Sequence, residues 1–391
     1  MKWEESLSTE LNKCMSAVMS CGGPIALLAG DGTAPGAKLQ IFSGAGELVC
    51  AWDWDFGRVR ALGWTPNVEL VCVLESARVM LWNLRGARVA DFSLSEACEG
   101  QAVQQCEIFS DGFVVLTTAF RLFAMLSFDK TLRTVVPLAD PRLSSPPTAM
   151  AVLEKGPAPA PTLAAVDGRV PPRCPEVLLA TASRTILVID ERDAHDQLLA
   201  SGPFVRLAPS PNGKFIAAFA SSGKLLVLAA DFSRNLSELA TQSPRPPRQL
   251  VWCGADSLLL PWDRLLLMVG PYGDSVKYTY PSPPLLHSES DGVRILSKTS
   301  AELLQRVPEA TEQVFLPGSL APAARCASSG QEPHGTRLCT ASLRARAGLA
   351  RRPIDRRPAR RLPRLLASPL ASPLAAPLAA CSLPARRPLP A

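Results

Sequence analysis

The sequence predicts an all-β fold, a β-propeller of about seven four-stranded blades. Units of four short apolar runs, separated by turn residues, recur every 40–45 residues or so, which is roughly the length of a propeller blade. Proline (37) outnumbers glycine (25), and no helical period persists beyond a turn or two after residue 22, so the main body is not helical. Apolar residues make up 47% of the chain, enough to build a core.

The first predicted element is an N-terminal helix, assigned to residues 1–21. Apolar residues at Leu7, Leu11 and Met15 follow the three-to-four spacing of a helix face. Acidic residues in the first turn suit the helix dipole, and Gly22-Gly23-Pro24 is predicted to end the helix.

Residues 22–320 are predicted to form the propeller. The strands of two units are placed at Val59–Trp64, Leu70–Leu74, Val79–Trp82, Val89–Phe92, Ala102–Phe109, Phe113–Thr117, Leu122–Leu126 and Thr134–Leu138. Two further units start at Val205 and at Gln249. One such sheet is apolar on both faces, so we expect stacking around an axis to bury both.

The alternative architecture is a pair of two-sheet sandwiches. It accounts for the strands equally well but not for their recurrence at blade length. One unit is stretched by the proline-rich insertion at residues 156–175, which we place in a surface loop.

Residues 321–391 are predicted to be a disordered tail. They hold 13 Arg, no Lys and two acids, Glu332 and Asp355, for a net charge of +11, whereas residues 1–320 carry −5. The tail is rich in proline and lacks aromatic residues, so it cannot offset its ordering entropy. Its Arg pairs suggest electrostatic attraction to anions, but it has neither aromatic residues to stack on bases nor an amphipathic stripe, so we expect no specific nucleic-acid binding.

Membrane spans and secretion are not expected. The longest apolar runs, Phe113–Leu126 and Leu258–Gly270, are interrupted by charged residues and are interpreted as pairs of strands. The acidic N-terminus does not resemble a signal peptide. The 11 cysteines lack a Cys-x-x-Cys pair, and Cys50, Cys72 and Cys253 fall in apolar runs. These features indicate a cytoplasmic chain without disulfides or zinc.

The sequence predicts no catalytic, cofactor-binding or metal-binding residue. The three histidines, His195, His287 and His334, are far apart, and nucleophile-elbow and phosphate-loop motifs are absent. Gly30-Asp31-Gly32 is followed by a strand rather than a helix, so a hairpin turn is predicted there. The polar cluster at residues 190–196, which includes His195, lacks the pattern of a calcium loop and is interpreted as a solvated hairpin loop.

The tryptophans are candidates for binding-surface anchors, but their spread over successive blades favours a role as fillers between sheets. The set comprises Trp52, Trp54, Trp64, Trp82, Trp252 and Trp262.

Several stretches together resemble the vacuolar protein sorting-associated protein 16 family. They are Gly22–Leu28, Leu62-Gly63-Trp64, Gln249–Cys253, Trp262–Gly270, Asp291–Ser297 and the segments from Glu302 through Leu320. Their order and spacing over nearly all of residues 1–320 carry the resemblance. After Leu320 the sequence departs from the family, which continues into helices.

The resemblance implies an N-terminal propeller of a HOPS/CORVET tethering subunit. Such a protein would be a non-enzymatic scaffold in vesicle-mediated transport, peripheral on late endosome and vacuole or lysosome membranes. Its expected partners are other tethering-complex subunits. The Sec1/Munc18-type subunit is not expected among them, because in the family it binds the helical solenoid, into which this sequence does not continue. The rival interpretations are a propeller scaffold of a coat or ubiquitin-ligase assembly, and a propeller hydrolase with acids and His195 or His287 at the central channel.

Overall fold

The structure is a computed structural model. It describes residue 3 and residues 11–154 and 174–305, apart from residues 184, 244, 272 and 291. The chain divides into two compact units, residues 1–312 and 313–391, and the description below concerns the first. The predicted tail and nearly all of the insertion lie outside the described residues.

The fold is a β-propeller of seven antiparallel sheets. Sheets 1 to 3 contain β1 Cys14–Val18, β2 Ile25–Ala29, β3 Lys38–Phe42, β4 Leu48–Asp53; β5 Val59–Trp64, β6 Leu70–Leu74, β7 Arg78–Trp82, β8 Arg88–Ser93; β9 Val103–Ile108, β10 Phe113–Thr117, β11 Leu122–Met125 and β12 Val135–Pro137. Sheets 4 to 7 contain β13 Ala149–Leu153, β14 Glu176–Ala180, β15 Ile186–Ile189, β16 Ala194–Asp196; β17 Phe204–Pro209, β18 Phe215–Ala220, β19 Lys224–Ala229, β20 Asn235–Ala240; β21 Val251–Cys253, β22 Ser257–Pro261, β23 Leu265–Val269, β24 Ser275–Thr279; β25 Leu285–Ser288, β26 Gly292–Leu296 and β27 Ala301–Gln305. Within the described residues six sheets have four strands and the seventh has three.

Burial along each sheet explains why the sheets stack radially. The second strands are buried on both faces, as all five residues of β6, β10, β22 and β26 show. The outer strands β4, β8 and β20 are exposed, with every second residue half-buried. A sheet with an apolar middle on both sides needs a neighbour on each side.

Packing between sheets closes the ring. Among the described residues, seven apolar clusters each join one pair of adjacent sheets, and the last joins sheet 7 back to sheet 1 through Leu296, Ala301, Ile25, Leu27 and Phe42. A two-sheet sandwich would give each sheet one packing partner, so the sandwich alternative is wrong. The propeller prediction is confirmed.

The predicted N-terminal helix is wrong for the part that the structure describes. Leu11–Lys13 form a single 3-10 turn, and Cys14–Val18 form β1, which pairs antiparallel with β2. Gly22, with a φ of +74°, lies in the β1–β2 turn and ends no helix. The helical spacing was misleading because pairing with β2 outweighs the local propensity of so short a segment. The propeller therefore starts before residue 22.

The hairpin turn predicted at Gly30-Asp31-Gly32 is confirmed. Gly30-Asp31-Gly32 begins the β2–β3 connection, where Gly32 has a φ of +84° and a Cβ would collide with the Trp54 ring. The two units whose strands were placed correspond to sheets 2 and 3, and the units that start at Val205 and Gln249 correspond to sheets 5 and 6.

Glu107 on inner strand β9 makes the stability of this fold depend on pH. Burial raises the pKa of its carboxyl from an ordinary 4.5 to about 7, although a hydrogen bond with Gln105 opposes the shift. Between these values the folded protein holds a proton that the unfolded chain has lost, so stability falls as pH rises from 4.5 to 7.

We expect Glu107→Gln to remove this fall and to raise the free energy of unfolding at pH 8 by about 1–2 kcal/mol. This is less than a fully buried group would give, because the side chain is partly exposed. Urea denaturation across this pH range measures the effect, with exposed Glu96→Gln as the matched control. If the free energy of unfolding of Glu107→Gln fell between pH 5 and pH 8 by as much as that of the wild type, Glu107 would not be the source of the pH dependence.

Candidate protein-interaction site

The described part of the propeller has a central cavity of about 840 Å³. It lies at the carboxyl ends of six inner strands, β1, β5, β9, β13, β17 and β25. We call this region the cavity mouth. Its lining carries hydroxyl groups contributed by different sheets, including Ser16, Thr65, Ser110, Ser210, Ser288 and Ser290. The strands converge here because the first strand of each sheet lies nearest the centre of the ring and these first strands run in the same direction.

Glu154 is the exposed carboxylate of the cavity mouth. It directly follows β13, and its two oxygens accept hydrogen bonds from the Ser110 backbone amide (3.0 Å) and from Ser110 Oγ (2.7 Å). Ser110 belongs to the turn after β9, so this contact joins sheets 3 and 4. The two bonds orient the carboxylate without neutralising it.

Glu289, the second carboxylate of the cavity mouth, is buried and paired. Its Oε1 lies 2.6 Å from Nη2 of Arg294, and both side chains are more than nine-tenths buried. Glu289 Oε2 accepts the Cys21 backbone amide at 2.5 Å, and Arg294 Nη1 donates to the Gly23 carbonyl at 2.8 Å. The pair belongs to sheet 7, whereas Cys21 and Gly23 lie in the β1–β2 turn of sheet 1. These contacts cross the closing seam, which is the interface between sheets 7 and 1. We call the Glu289–Arg294 pair and its bonds to Cys21 and Gly23 the polar latch.

His287 lies in the cavity lining next to Ser16, with Nε2 2.9 Å from Ser16 Oγ. Burial, reinforced by the positive charge of Arg294, lowers the pKa of His287 to about 4. The ring is therefore neutral at pH 7 and a weak base. Within the described residues no carboxylate hydrogen-bonds to this imidazole, and Glu289 is occupied by Arg294. The arrangement is a serine–histidine contact without the orienting acid of a triad.

His195 and the polar cluster around it lie elsewhere. Asp190 caps the β15–β16 turn through bonds from the Arg192 and Asp193 amides, as expected for a hairpin loop. The cluster is not wholly a loop, because Ala194–Asp196 form the exposed outer strand β16. Among the described residues no group of three His, Cys, Asp or Glu side chains is arranged to hold a metal ion.

The tryptophans pack between sheets, as predicted. Trp54 and Trp82 are buried in the cluster between sheets 1 and 2, and Trp252 is buried in the cluster between sheets 5 and 6. Two indoles also donate across a sheet boundary, Trp64 Nε1 to the Ala17 carbonyl (3.2 Å) and Trp252 Nε1 to the Ala208 carbonyl (2.8 Å). Trp52, Trp64 and Trp262 are only partly buried.

A second recess, of about 210 Å³, opens between sheets 5 and 6. Its walls are mainly apolar and include Phe215, Leu225, Leu239, Trp252 and Leu258. This interblade groove is separate from the cavity mouth and has room for little more than a side chain.

The cysteines described by the structure are thiols. Cys72 and Cys253 are buried, as predicted, and burial raises the pKa of the Cys72 thiol far above its ordinary value. Cys50 is only half-buried, on outer strand β4, where its thiol contacts the Leu84 carbonyl at 3.2 Å. Cys21 is exposed at the edge of the cavity mouth.

Sequence reasoning missed the latch and the role of Trp3. Arg294 is the one charged residue of the apolar strand Gly292–Leu296, and a charge inside such a strand signals a buried ion pair. No comparable signal points to Trp3, which packs on Phe42 and donates from Nε1 to the Ser297 carbonyl at 2.8 Å.

The closed ring of seven sheets and the cavity at its centre define the class of the protein, a β-propeller. Its fold is similar to the β-propeller domain of Cps50 (Swd1) from Myceliophteria thermophila, with a TM-score of 0.55, 10% identity and coverage of 78% of this chain and 99% of that one. It is also similar to BBS1N, solved in complex with ARL6DN, with a TM-score of 0.50, 13% identity and coverage of 78% and 95%. These similarities concern the fold alone.

The sequence assigns the chain within this class. The family model for the N-terminal region of Vps16 matches residues 1–336, and the chain belongs to the Vps16 family. It is 32% identical over 354 residues to protein VACUOLELESS1 of Arabidopsis thaliana, covering 83% of this chain and 39% of that protein. It is 31% identical over 331 residues to the probable vacuolar protein sorting-associated protein 16 homolog of Schizosaccharomyces pombe, covering 81% and 38%. The chain thus spans less than two-fifths of the length of these relatives.

Proposed function

We propose that this chain acts as a non-enzymatic scaffold in vacuolar protein sorting, as a subunit of a HOPS/CORVET-type membrane-tethering complex. The observation that carries the proposal is the match to the N-terminal region of Vps16 over residues 1–336, combined with a closed propeller. The work of such a subunit is protein–protein contact at endosomes and at the vacuole or lysosome.

The chemistry of the described residues supports a scaffold rather than an enzyme. Of the two carboxylates at the cavity mouth, Glu289 pairs with Arg294 and Glu154 is oriented by Ser110, so neither of them orients His287. His287 is a weak base beside Ser16. The only described helix is the three-residue segment Leu11–Lys13, so none of the described helices is able to cross a bilayer. Membrane association through partner subunits is part of the proposal.

Affinity purification of the tagged full chain tests the proposal. We expect other tethering-complex subunits to be enriched over a tag-only control. The Sec1/Munc18-type subunit is quantified separately, because the resemblance predicts that this chain does not bind it. Recovery of coat or ubiquitin-ligase components in place of tethering subunits would overturn the proposal.

The hydrolase rival has a test of its own, because Ser16 lies beside His287. We expect a fluorophosphonate probe to leave Ser16 unlabelled. Labelling of the full chain that disappears in Ser16→Ala but persists in Ser210→Ala would favour a hydrolase.

A further inference from the structure

We propose that the cavity mouth binds an arginine side chain carried by an extended segment of a partner protein. The inference deepens the proposed function, because it names the binding surface and the chemical group of the partner that binds there. It rests on the proposed function in one respect, that the partner is a protein. The charge, the geometry and the size of the cavity mouth each favour an arginine.

The charge of the cavity mouth favours a cation. Its lining contains two glutamates and many hydroxyl groups but, among the described residues, no lysine and no arginine. The charge of Glu289 is balanced by Arg294, and the lowered pKa of His287 leaves its ring neutral. Glu154 remains as a carboxylate whose charge no described lysine or arginine balances within ion-pair distance. Among the described residues, a cationic group entering here therefore meets one negative charge that has no counter-charge, that of Glu154.

The geometry of Glu154 favours arginine over lysine. An ionised carboxylate accepts about four hydrogen bonds, and the two from Ser110 leave one acceptor position on each oxygen. A guanidinium donates two parallel N–H bonds to two such oxygens, whereas an ammonium acts as a point charge. Because Ser110 already holds the carboxylate in place, little orientational entropy is lost on binding.

The size and lining of the cavity favour a side chain with some of its main chain. A volume of 840 Å³ falls within the range of about 300–1,000 Å³ typical of ligand sites. Exposed hydroxyls at its edge, such as those of Ser20 and Ser290, can both donate to and accept from peptide groups. The interblade groove is about a quarter as large and mainly apolar, so it lacks the room and the polar groups to bind an arginine together with its main chain.

Calorimetric titration of the full chain with an acetylated, amidated Gly-Ala-Arg-Ala-Gly peptide at low ionic strength tests the inference. The control peptide carries citrulline, which keeps the shape of arginine without its charge. We expect the citrulline peptide to bind about tenfold more weakly or worse, and Glu154→Gln to weaken the arginine peptide similarly. Glu96→Gln, an exposed acid at the opposite end of the sheets, should leave affinity unchanged.

Thiol labelling locates the bound peptide. Cys21 is exposed and lines the cavity mouth, so the arginine peptide should slow its alkylation severalfold, as measured by mass spectrometry. In Glu154→Gln the same peptide concentration should give no protection. The isosteric change lies on an exposed side chain, and circular dichroism checks that the fold is retained.

Three results would overturn the inference: equal affinity for the two peptides, full affinity in Glu154→Gln, or no binding of the arginine peptide to the wild-type chain. None of them bears on the tethering proposal, which depends on co-purification. Conversely, arginine-dependent binding by a chain that fails to recover tethering subunits would overturn only the proposed complex.

Discussion

Replacing Arg294 with methionine is expected to lower the free energy of unfolding by about 3–5 kcal/mol, because the change leaves the Glu289 carboxylate buried without its counter-charge. The Arg294 guanidinium also holds the Gly23 carbonyl across the closing seam. Loss of the latch therefore weakens the one sheet interface that joins the two ends of the propeller. Urea denaturation measures the change.

Two further variants separate the ion pair from general packing. Arg294→Met combined with Glu289→Leu should recover part of the loss, since removing both charges costs less than stranding one. Arg248→Met removes an exposed pair with Asp263 and should cost at most about 1 kcal/mol. If Arg294→Met were as mild as Arg248→Met, the latch would contribute little to stability.

Replacing Trp3 with alanine is expected to cost about 3–5 kcal/mol. The indole is only 6% exposed and packs edge-on against Phe42, with ring centroids 5.3 Å apart. Its Nε1 also donates to the Ser297 carbonyl in sheet 7. Trp3 therefore belongs to the cluster between sheets 7 and 1, on the same seam as the Arg294 latch. The midpoint of thermal unfolding should fall along with the free energy of unfolding.

Trp3→Phe separates the two contributions of the indole. It keeps most of the ring contact but removes the donor to Ser297, so a loss of about 1–2 kcal/mol is expected. Trp262→Ala is the matched surface control, since that indole is only partly buried and bonds to the Arg245 carbonyl in an exposed setting. A Trp3→Ala effect no larger than that of Trp262→Ala would show that Trp3 does not hold the seam.

Short apolar runs and the turn residues between them made most of the fold predictable. The strands of sheets 2 and 3 were placed within a residue or two, because Leu70–Leu74 and Phe113–Thr117 are continuous apolar runs bounded by turn residues. Recurrence at blade length then distinguished a propeller from a sandwich. The first strand was not predictable in this way, since Cys14–Val18 shows no clear alternation and its identity depends on pairing with Ile25–Ala29.

Little of the candidate site was predictable from the sequence. The tryptophans around it were correctly assigned to packing between sheets. Ser110 and Glu154, by contrast, are 44 residues apart, and nothing in either segment indicates that the two side chains meet. His287 was a candidate for the central channel, and its contact with Ser16 spans 271 residues.

The amino-acid sequence by itself determined the class of fold, the family and the positions of most strands, because these depend on local apolar runs, turn residues and stretches of family resemblance. Only the tertiary structure decided how the ring closes and what lines its mouth. Closure brings Trp3, Cys21 and Gly23 against Glu289, Arg294 and Ser297 from the far end of the ring. Such contacts depend on the number and curvature of the sheets, a global property that no local segment encodes.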